Sequence, residues 1–275
     1  MIRNQTVPDQ SHRTRAPRLA RARVFLTLGA IMLCGIAYTA GRGTVARSGN
    51  AGGDPAPNAD WPGYNKSYDG QRYSTLRQIN TTNVARLRPV CEVVMGEGGP
   101  FQAGPVVIGN TMFVTTSMTT VAMDATTCAV RWRHVDTTSS QDPIPVNRGV
   151  AYLDGRLFRG MPGARLAAFD AQSGRVLWDL KVGNRNNGEY VSSAPIARHG
   201  MVYVGLAGGD NGIRGRVMGY DAATGREKWR FNTIPMGAER GAETWNIPAS
   251  AKHGGGGTWT TYTLPESIAE DGSWG

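Results

Sequence analysis

A nine-residue stretch running from Asp to Trp occurs three times in this chain, and no other feature limits its fold so sharply. The copies are DATTCAVRW at 124–132, DAQSGRVLW at 170–178 and DAATGREKW at 221–229, so successive tryptophans stand 46 and 51 residues apart. Each copy follows a short apolar run and contains a D-x-x-T/S turn, with Gly next in the second and third copies. An alternating run, a turn of this chemistry and a second run ending in Trp make a β-hairpin. The Asp accepts backbone N–H bonds at the turn, and Gly takes positive φ without steric cost. A period near 40–50 residues with short strands is the signature of propeller blades. One large aromatic at the same point of each unit buries roughly 150–250 Å² and packs one blade on the next. Three unrelated hairpins would have no reason to share this spacing.

Further strand pairs are expected at 104–116, 148–159 and 194–206, each alternating around a Gly-containing turn just ahead of one Asp-to-Trp hairpin. A unit then has about four strands, which is a propeller blade. Outside the leader, no ten-residue window carries a helical apolar period. The fold class expected is an all-β propeller with three to four blades present. Residues 61–88 are polar, aromatic and turn-rich, and are expected to lie across the blades and add a closing strand. Residues 260–264 could begin a strand, whereas 265–275 carry no strand pattern and no fourth hairpin. Propellers close with four to eight blades, so the chain reads as the front part of a larger one.

The formal charge of +9 looks like a nucleic-acid signal until it is located. Residues 1–23 hold six arginines against one aspartate, so +5 of that charge is in the leader. The rest has no basic stripe, and no nucleic-acid partner is expected. Residues 24–40 form an uncharged apolar run directly behind the arginines. A basic segment followed by an apolar one reads as an export signal, cleaved or retained as an inner-membrane anchor. The organisation expected is therefore a leader over 1–41, a flexible linker over 42–59, a partial propeller over 60–264 and a tail over 265–275. Export places the folded part in the periplasm. There Cys91 and Cys128 form an even pair, readable as a disulfide or as two buried thiols. Patterns for a serine hydrolase elbow, a zinc helix or a phosphate loop are absent.

YSTLRQINTTNV (73–84), NRGVAY (147–152), GGDNGIRGRV (208–217) and ETWNIPASAKHGGGGTW (243–259), together with the repeats, resemble the N-terminal half of the quinoprotein alcohol dehydrogenases. These are oxidoreductases that use pyrroloquinoline quinone (PQQ). The resemblance implies an eight-bladed propeller with PQQ on its axis beside a calcium ion. It implies oxidation of an alcohol, with electrons passed to a cytochrome or quinone. Trp259 matches the tryptophan that stacks on the quinone, the glycines before it let backbone and cofactor approach closely, and Gly208, Gly209, Gly257 and Thr258 are implied as cofactor-binding. Arg148 matches the arginine that meets a PQQ carboxylate, since a guanidinium fork suits carboxylate oxygens. Asp210 falls at a calcium-binding glutamate, Ser192 at a cofactor-contacting threonine and Gln102 at a glutamate near the cofactor. Residues 211–214 shape the same loop, and His253 reads as a strand cap. The blander readings are a blade-packing Trp259, a surface Arg148 and a turn-stabilising Asp210.

This sequence also departs from the pattern. Asp142-Pro143 stands where the family has adjacent cysteines. The family's catalytic aspartate and calcium-binding asparagine come after Trp259 and have no counterpart in 265–275. The chain is thus expected to be inactive alone, with a complementing C-terminal half as a conceivable partner. A competing reading is a periplasmic propeller scaffold that binds protein and no cofactor.

Overall fold

The computed structural model describes residues 59–138 and 142–265, all within the unit Gly49–Gly275. The expected leader and most of the linker and tail lie outside these residues. Among the described residues, no helix is long and apolar enough to cross a membrane.

Each repeat folds as a four-stranded antiparallel sheet whose strands follow one another in order. The first contains β1 (Val106–Ile108), β2 (Thr111–Thr115), β3 (Thr119–Asp124) and β4 (Val130–Val135). The second contains β5 (Ala151–Leu153), β6 (Arg156–Met161), β7 (Arg165–Asp170) and β8 (Val176–Lys181). The third contains β9 (Ile196–Arg198), β10 (Met201–Gly205), β11 (Arg216–Asp221) and β12 (Glu227–Asn232). The second and third strands of each blade are mostly buried, as befits strands covered on both faces, while the fourth alternates on the rim.

The Asp-to-Trp stretches are the hairpins that join third to fourth strands. Asp124, Asp170 and Asp221 each accept, on one carboxylate oxygen, the N–H and hydroxyl of the Thr or Ser two or three residues on. Those bonds hold all three carboxyls below the usual aspartate range. Gly174 and Gly225 both take φ +73°. The first blade has Cys128 at this point, at φ +60°.

At the same place in each blade the pairing of third and fourth strands skips one residue. Such a bulge re-aims a side chain, here setting each tryptophan opposite a small residue: Trp132 opposite Ala122, Trp178 opposite Ala168, Trp229 opposite Gly219. The Trp132 indole N–H donates to the Ala171 carbonyl of the next blade at 3.0 Å, and Trp178 to Ala222 at 3.1 Å. A Cβ on Gly174 would come within 2.6 Å of the Trp132 ring, so the next blade's turn glycine is what the indole rests on. Each indole also meets an aromatic of its own second strand at about 6 Å: Phe113, Phe158 and Tyr203.

Charged side chains tie the same seams. Arg159, fully buried on β6, reaches into the first blade and donates to the carbonyls of Thr116, Ser117 and Thr119. Burial lowers its pKa to about 10, which leaves it protonated at neutral pH. Arg216 on β11 forks onto Glu189 at 2.7 and 3.0 Å between the second and third blades.

Residues 61–88 add no closing strand. Trp61 pairs with Val107 through one isolated bridge, Val84–Arg86 is a short 3-10 turn, and Tyr73, Leu76 and Ile79 are more than half exposed. No strand forms at 260–264 either; there the Leu264 N–H donates to the Tyr68 carbonyl at 2.8 Å. Both segments are held by isolated hydrogen bonds, among them Asn65 to the Tyr262 carbonyl, and form no ladder. Cys91 and Cys128 are joined by a disulfide, with Cα atoms 6.2 Å apart, which ties the otherwise exposed segment around Cys91 to the first blade's hairpin tip.

Trp178→Ala is expected to lower unfolding free energy in urea by roughly 3–5 kcal/mol, against less than about 0.5 kcal/mol for Phe231→Ala on the rim. Equal losses would remove the indole seam as the blade lock. Reducing the disulfide, whose partners are 37 residues apart, is expected to cost about 3–4 kcal/mol on the chain-entropy account.

Candidate functional site

The chain enters each blade at its first strand, and the three entry segments converge on one open cavity of about 640 Å³. Gln102 comes from the segment before β1, Arg148 from that before β5 and Ser192 from that before β9. The other wall is built from glycines 208, 209 and 254–257 with Asp210, and Trp259 completes it.

Two glycine runs make that wall. Gly208 takes φ +113° and is followed by the short 3-10 turn Gly209–Asn211. The second run passes over the first: Gly215 donates to the Gly255 carbonyl and Gly255 to the Ile213 carbonyl, both at 2.8 Å. A Cβ on Gly257 would stand 2.9 Å from the Gly209 nitrogen, so the backbones approach as only glycine permits. Thr258 is not a lining residue. Its N–H and hydroxyl turn to the Leu206 carbonyl at 2.6 and 3.3 Å, and the hydroxyl also meets the Arg216 carbonyl. It fastens the run to the third blade, and the next residue, Trp259, projects into the cavity with 55% of its surface exposed.

Arg148, Ser192 and Trp259 meet directly. The Arg148 guanidinium lies 4.8 Å from the indole centroid of Trp259. It donates to the carbonyls of Ser192 at 3.2 Å and Trp259 at 3.3 Å, and the Ser192 hydroxyl donates to the same Trp259 carbonyl. Asn147, which sequence reasoning passed over, holds the arginine's backbone. Its side-chain oxygen accepts from the Thr115 hydroxyl and the Gly149 N–H, and its amide donates to the Gly160 carbonyl. Tyr190 and Val146, both buried, and the exposed Ile144 are further lining residues that were not foreseen. Burial raises the Tyr190 hydroxyl, helped by Asp210. His253 does not face the cavity as a base; its Nδ1 donates to the Gly212 carbonyl at 3.1 Å, at the end of the 3-10 turn Pro248–His253.

Asp210 lines the cavity and, among the described residues, it is the one carboxylate that does so. Among the described residues, no group of three His, Cys, Asp or Glu side chains could hold a metal ion. Calcium takes six to eight oxygen ligands, so the described residues do not make a calcium site by themselves. An aromatic cofactor fits better. The volume lies in the range of small-molecule sites, an indole face is open, and a guanidinium stands beside it.

The family model for the glucose/ethanol/alcohol dehydrogenase β-propeller domain (PQQ) matches residues 61–267. The chain belongs to the PQQ dehydrogenase family. It is 35% identical over 236 residues to the lanthanide-dependent methanol dehydrogenase of Methylacidiphilum fumariolicum (strain SolV), covering 76% of this chain and 38% of that protein. It is 34% identical to a quinohemoprotein alcohol dehydrogenase of Pseudomonas putida, covering 76% of this chain and 32% of that protein. The solved structure of such an enzyme from P. putida HK5 superposes with a TM-score of 0.70 at 31% identity, over 78% of this chain and 34% of that one. A europium-containing methanol dehydrogenase gives 0.63 at 34% identity, over 66% and 33%. The chain thus spans about a third of the length of these relatives.

Asp142, where the resemblance led one to look for a cysteine, turns away from the cavity and accepts the Gly163 N–H at 2.9 Å. Burial pushes its carboxyl up to about 6, with the Gly163 bond only partly opposing. A raised carboxyl favours the folded state while protonated, and that stability is lost as pH rises through about 6. Asp142→Asn is expected to flatten this dependence and gain roughly 1–3 kcal/mol over the parent between pH 4 and 7.5. Urea melts of the two proteins across that range check it; a constant difference between them would reject it.

Proposed function

We propose that this chain supplies the cofactor-binding wall of a PQQ-dependent alcohol dehydrogenase. The observation that carries the reading is the Arg148 guanidinium lying on the half-exposed Trp259 indole in an open cavity of a PQQ-family chain. Two large planar groups, one cationic, suit a flat tricycle with three carboxylates. PQQ, when bound, would supply the two-electron redox chemistry of alcohol oxidation.

The chain's own residues bind and orient. Trp259 offers a stacking face, and Arg148 meets carboxylate oxygens through its fork. Gln102 and Ser192 would add hydrogen-bonding groups from the cavity lining. Glycines 208, 209 and 257 let peptide groups come close where a side chain would intrude. Asp210 would give one carboxylate ligand to a calcium ion or a related cation whose other ligands are outside the described residues. Proton abstraction from the alcohol belongs to groups outside them too.

In the complete enzyme, electrons would pass to a cytochrome or quinone in the periplasm, after export through the basic and apolar leader.

Titration of the full chain with PQQ, followed by tryptophan fluorescence, is expected to give saturable quenching. Trp259→Ala and Arg148→Ala should each weaken binding tenfold or more, equivalent to about 1.4 kcal/mol. Absence of saturable quenching in the unmodified chain would overturn the proposal and favour a scaffold that binds protein.

A further inference from the structure

The segment leading into β1 alternates: Val93, Met95 and Glu97 turn inward, while Glu92, Val94 and Gly96 stay exposed. Val93 and Met95 pack on the first blade's apolar cluster of Val114, Val121 and Met123. Glu97 puts a carboxylate at the next inward position, where the alternation calls for another apolar side chain. Its seat is the turn between β2 and β3. One carboxylate oxygen accepts the Thr116 and Thr119 hydroxyls, and the other accepts the Met118 N–H at 3.1 Å. Burial acts to raise this carboxyl, but those three donors and the charge of Arg159 hold it below the usual glutamate range.

Arg159 holds the same turn from the second blade. Its N–H groups meet the carbonyls of Thr116, Ser117, Thr119 and Gly160 and the hydroxyl of Thr120, which satisfies the whole guanidinium. None of these acceptors is a carboxylate, so the buried cation has its countercharge at one remove. Asp136 and Glu97 both favour its charge. Asp136 is itself paired with Arg165 at 3.1 Å, whereas Glu97 directs its bonds to the turn that Arg159 holds.

Both charges lead to Asn147. Its amide donates to the Gly160 carbonyl at 3.0 Å, an acceptor shared with Nε of Arg159. Its oxygen accepts the hydroxyl of Thr115, the residue just ahead of the turn, at 2.6 Å. The same oxygen accepts the Gly149 N–H at 2.9 Å and so fixes the backbone on either side of Arg148. Neither Glu97 nor Arg159 lines the cavity, yet both are tied through this network to the residue that carries its positive charge.

Resting on the PQQ reading above, we infer that Glu97 and Arg159 are positioning residues for Arg148. One from the segment before β1 and one from β6, they hold the 116–119 turn between them. That fixes Asn147 at the seam of the first two blades, and with it the guanidinium that meets a carboxylate of the flat ligand. Removing either charge leaves the other buried with less compensation, and the members of such a network lose more together than bond by bond. The inference concerns binding only and involves no bond making.

The test is a double-mutant cycle in the full chain, read by PQQ titration with tryptophan fluorescence, with thermal melts to follow folding. Glu97→Ala should weaken PQQ binding about tenfold. Glu97→Gln, which keeps an acceptor for the threonine hydroxyls, should lie between it and the parent. In the Arg148→Ala background, Glu97→Ala should change affinity by less than about twofold, because the group it positions is gone. Arg159→Lys, which keeps the charge but offers fewer donors, should follow the same pattern. If Glu97→Ala does not fold, the Glu97→Gln cycle decides by the same criterion. A parent chain that binds no PQQ would overturn the cofactor reading and this inference together. A parent that binds, while the folded Glu97 variants keep its affinity, would overturn this inference alone. So would losses that multiply when a Glu97 variant is combined with Arg148→Ala, since Glu97 would then act on the fold at large and not through Arg148.

Discussion

The indole that crosses from one blade to the next is the contact on which this architecture depends. A four-stranded sheet has two faces to cover, and a small antiparallel sheet does not bury both by itself. Trp132 and Trp178 solve this by lying over the following blade's turn glycine while the indole N–H takes the carbonyl of Ala171 or Ala222. Packing and hydrogen bonding therefore fix one relative placement of neighbouring blades. The bulge opposite each tryptophan and the small residue beneath it are parts of the same device.

The cavity is a consequence of that spacing. Because the blades repeat at a set interval, the segments leading into β1, β5 and β9 arrive side by side, and residues from each reach the same space. Arg148 is then aimed by Asn147, and Trp259 is delivered by a glycine run that lies directly on the backbone of residues 209–215. The fully buried Arg159 and the Arg216–Glu189 fork hold the seams just outside this space. Breaking a pair of that kind leaves an uncompensated buried charge, so these groups guard the register of the blades.

The repeats were legible because turn chemistry and period are local properties, and the three sheets follow them closely. Membership of the PQQ family was legible from the stretches around Arg148, Asp210 and Trp259, which the structure brings to one cavity. Other assignments needed coordinates. Thr258 adjoins Trp259 in sequence, yet an extended backbone sends successive side chains to opposite sides, and its hydroxyl goes to blade carbonyls. Tyr190 and Ser192 illustrate the same alternation in the other direction: both line the cavity, two residues apart, and Tyr190 could have been inferred from Ser192. Residues 61–88 were expected to form a closing strand, but a ladder needs a partner edge, and there Trp61 meets Val107 alone.

The sequence by itself determined the three Asp-to-Trp repeats and their hairpins, since these follow from spacing and turn chemistry along the chain, while the candidate ring-holding residues came from the family resemblance. Tertiary structure alone decided which of those residues share a space and which way each one faces. Ile144 and Asp142 make the point: they are two residues apart, one open to the cavity and the other bonded to Gly163. Their directions are set by contacts with partners distant in the chain, which no local pattern records.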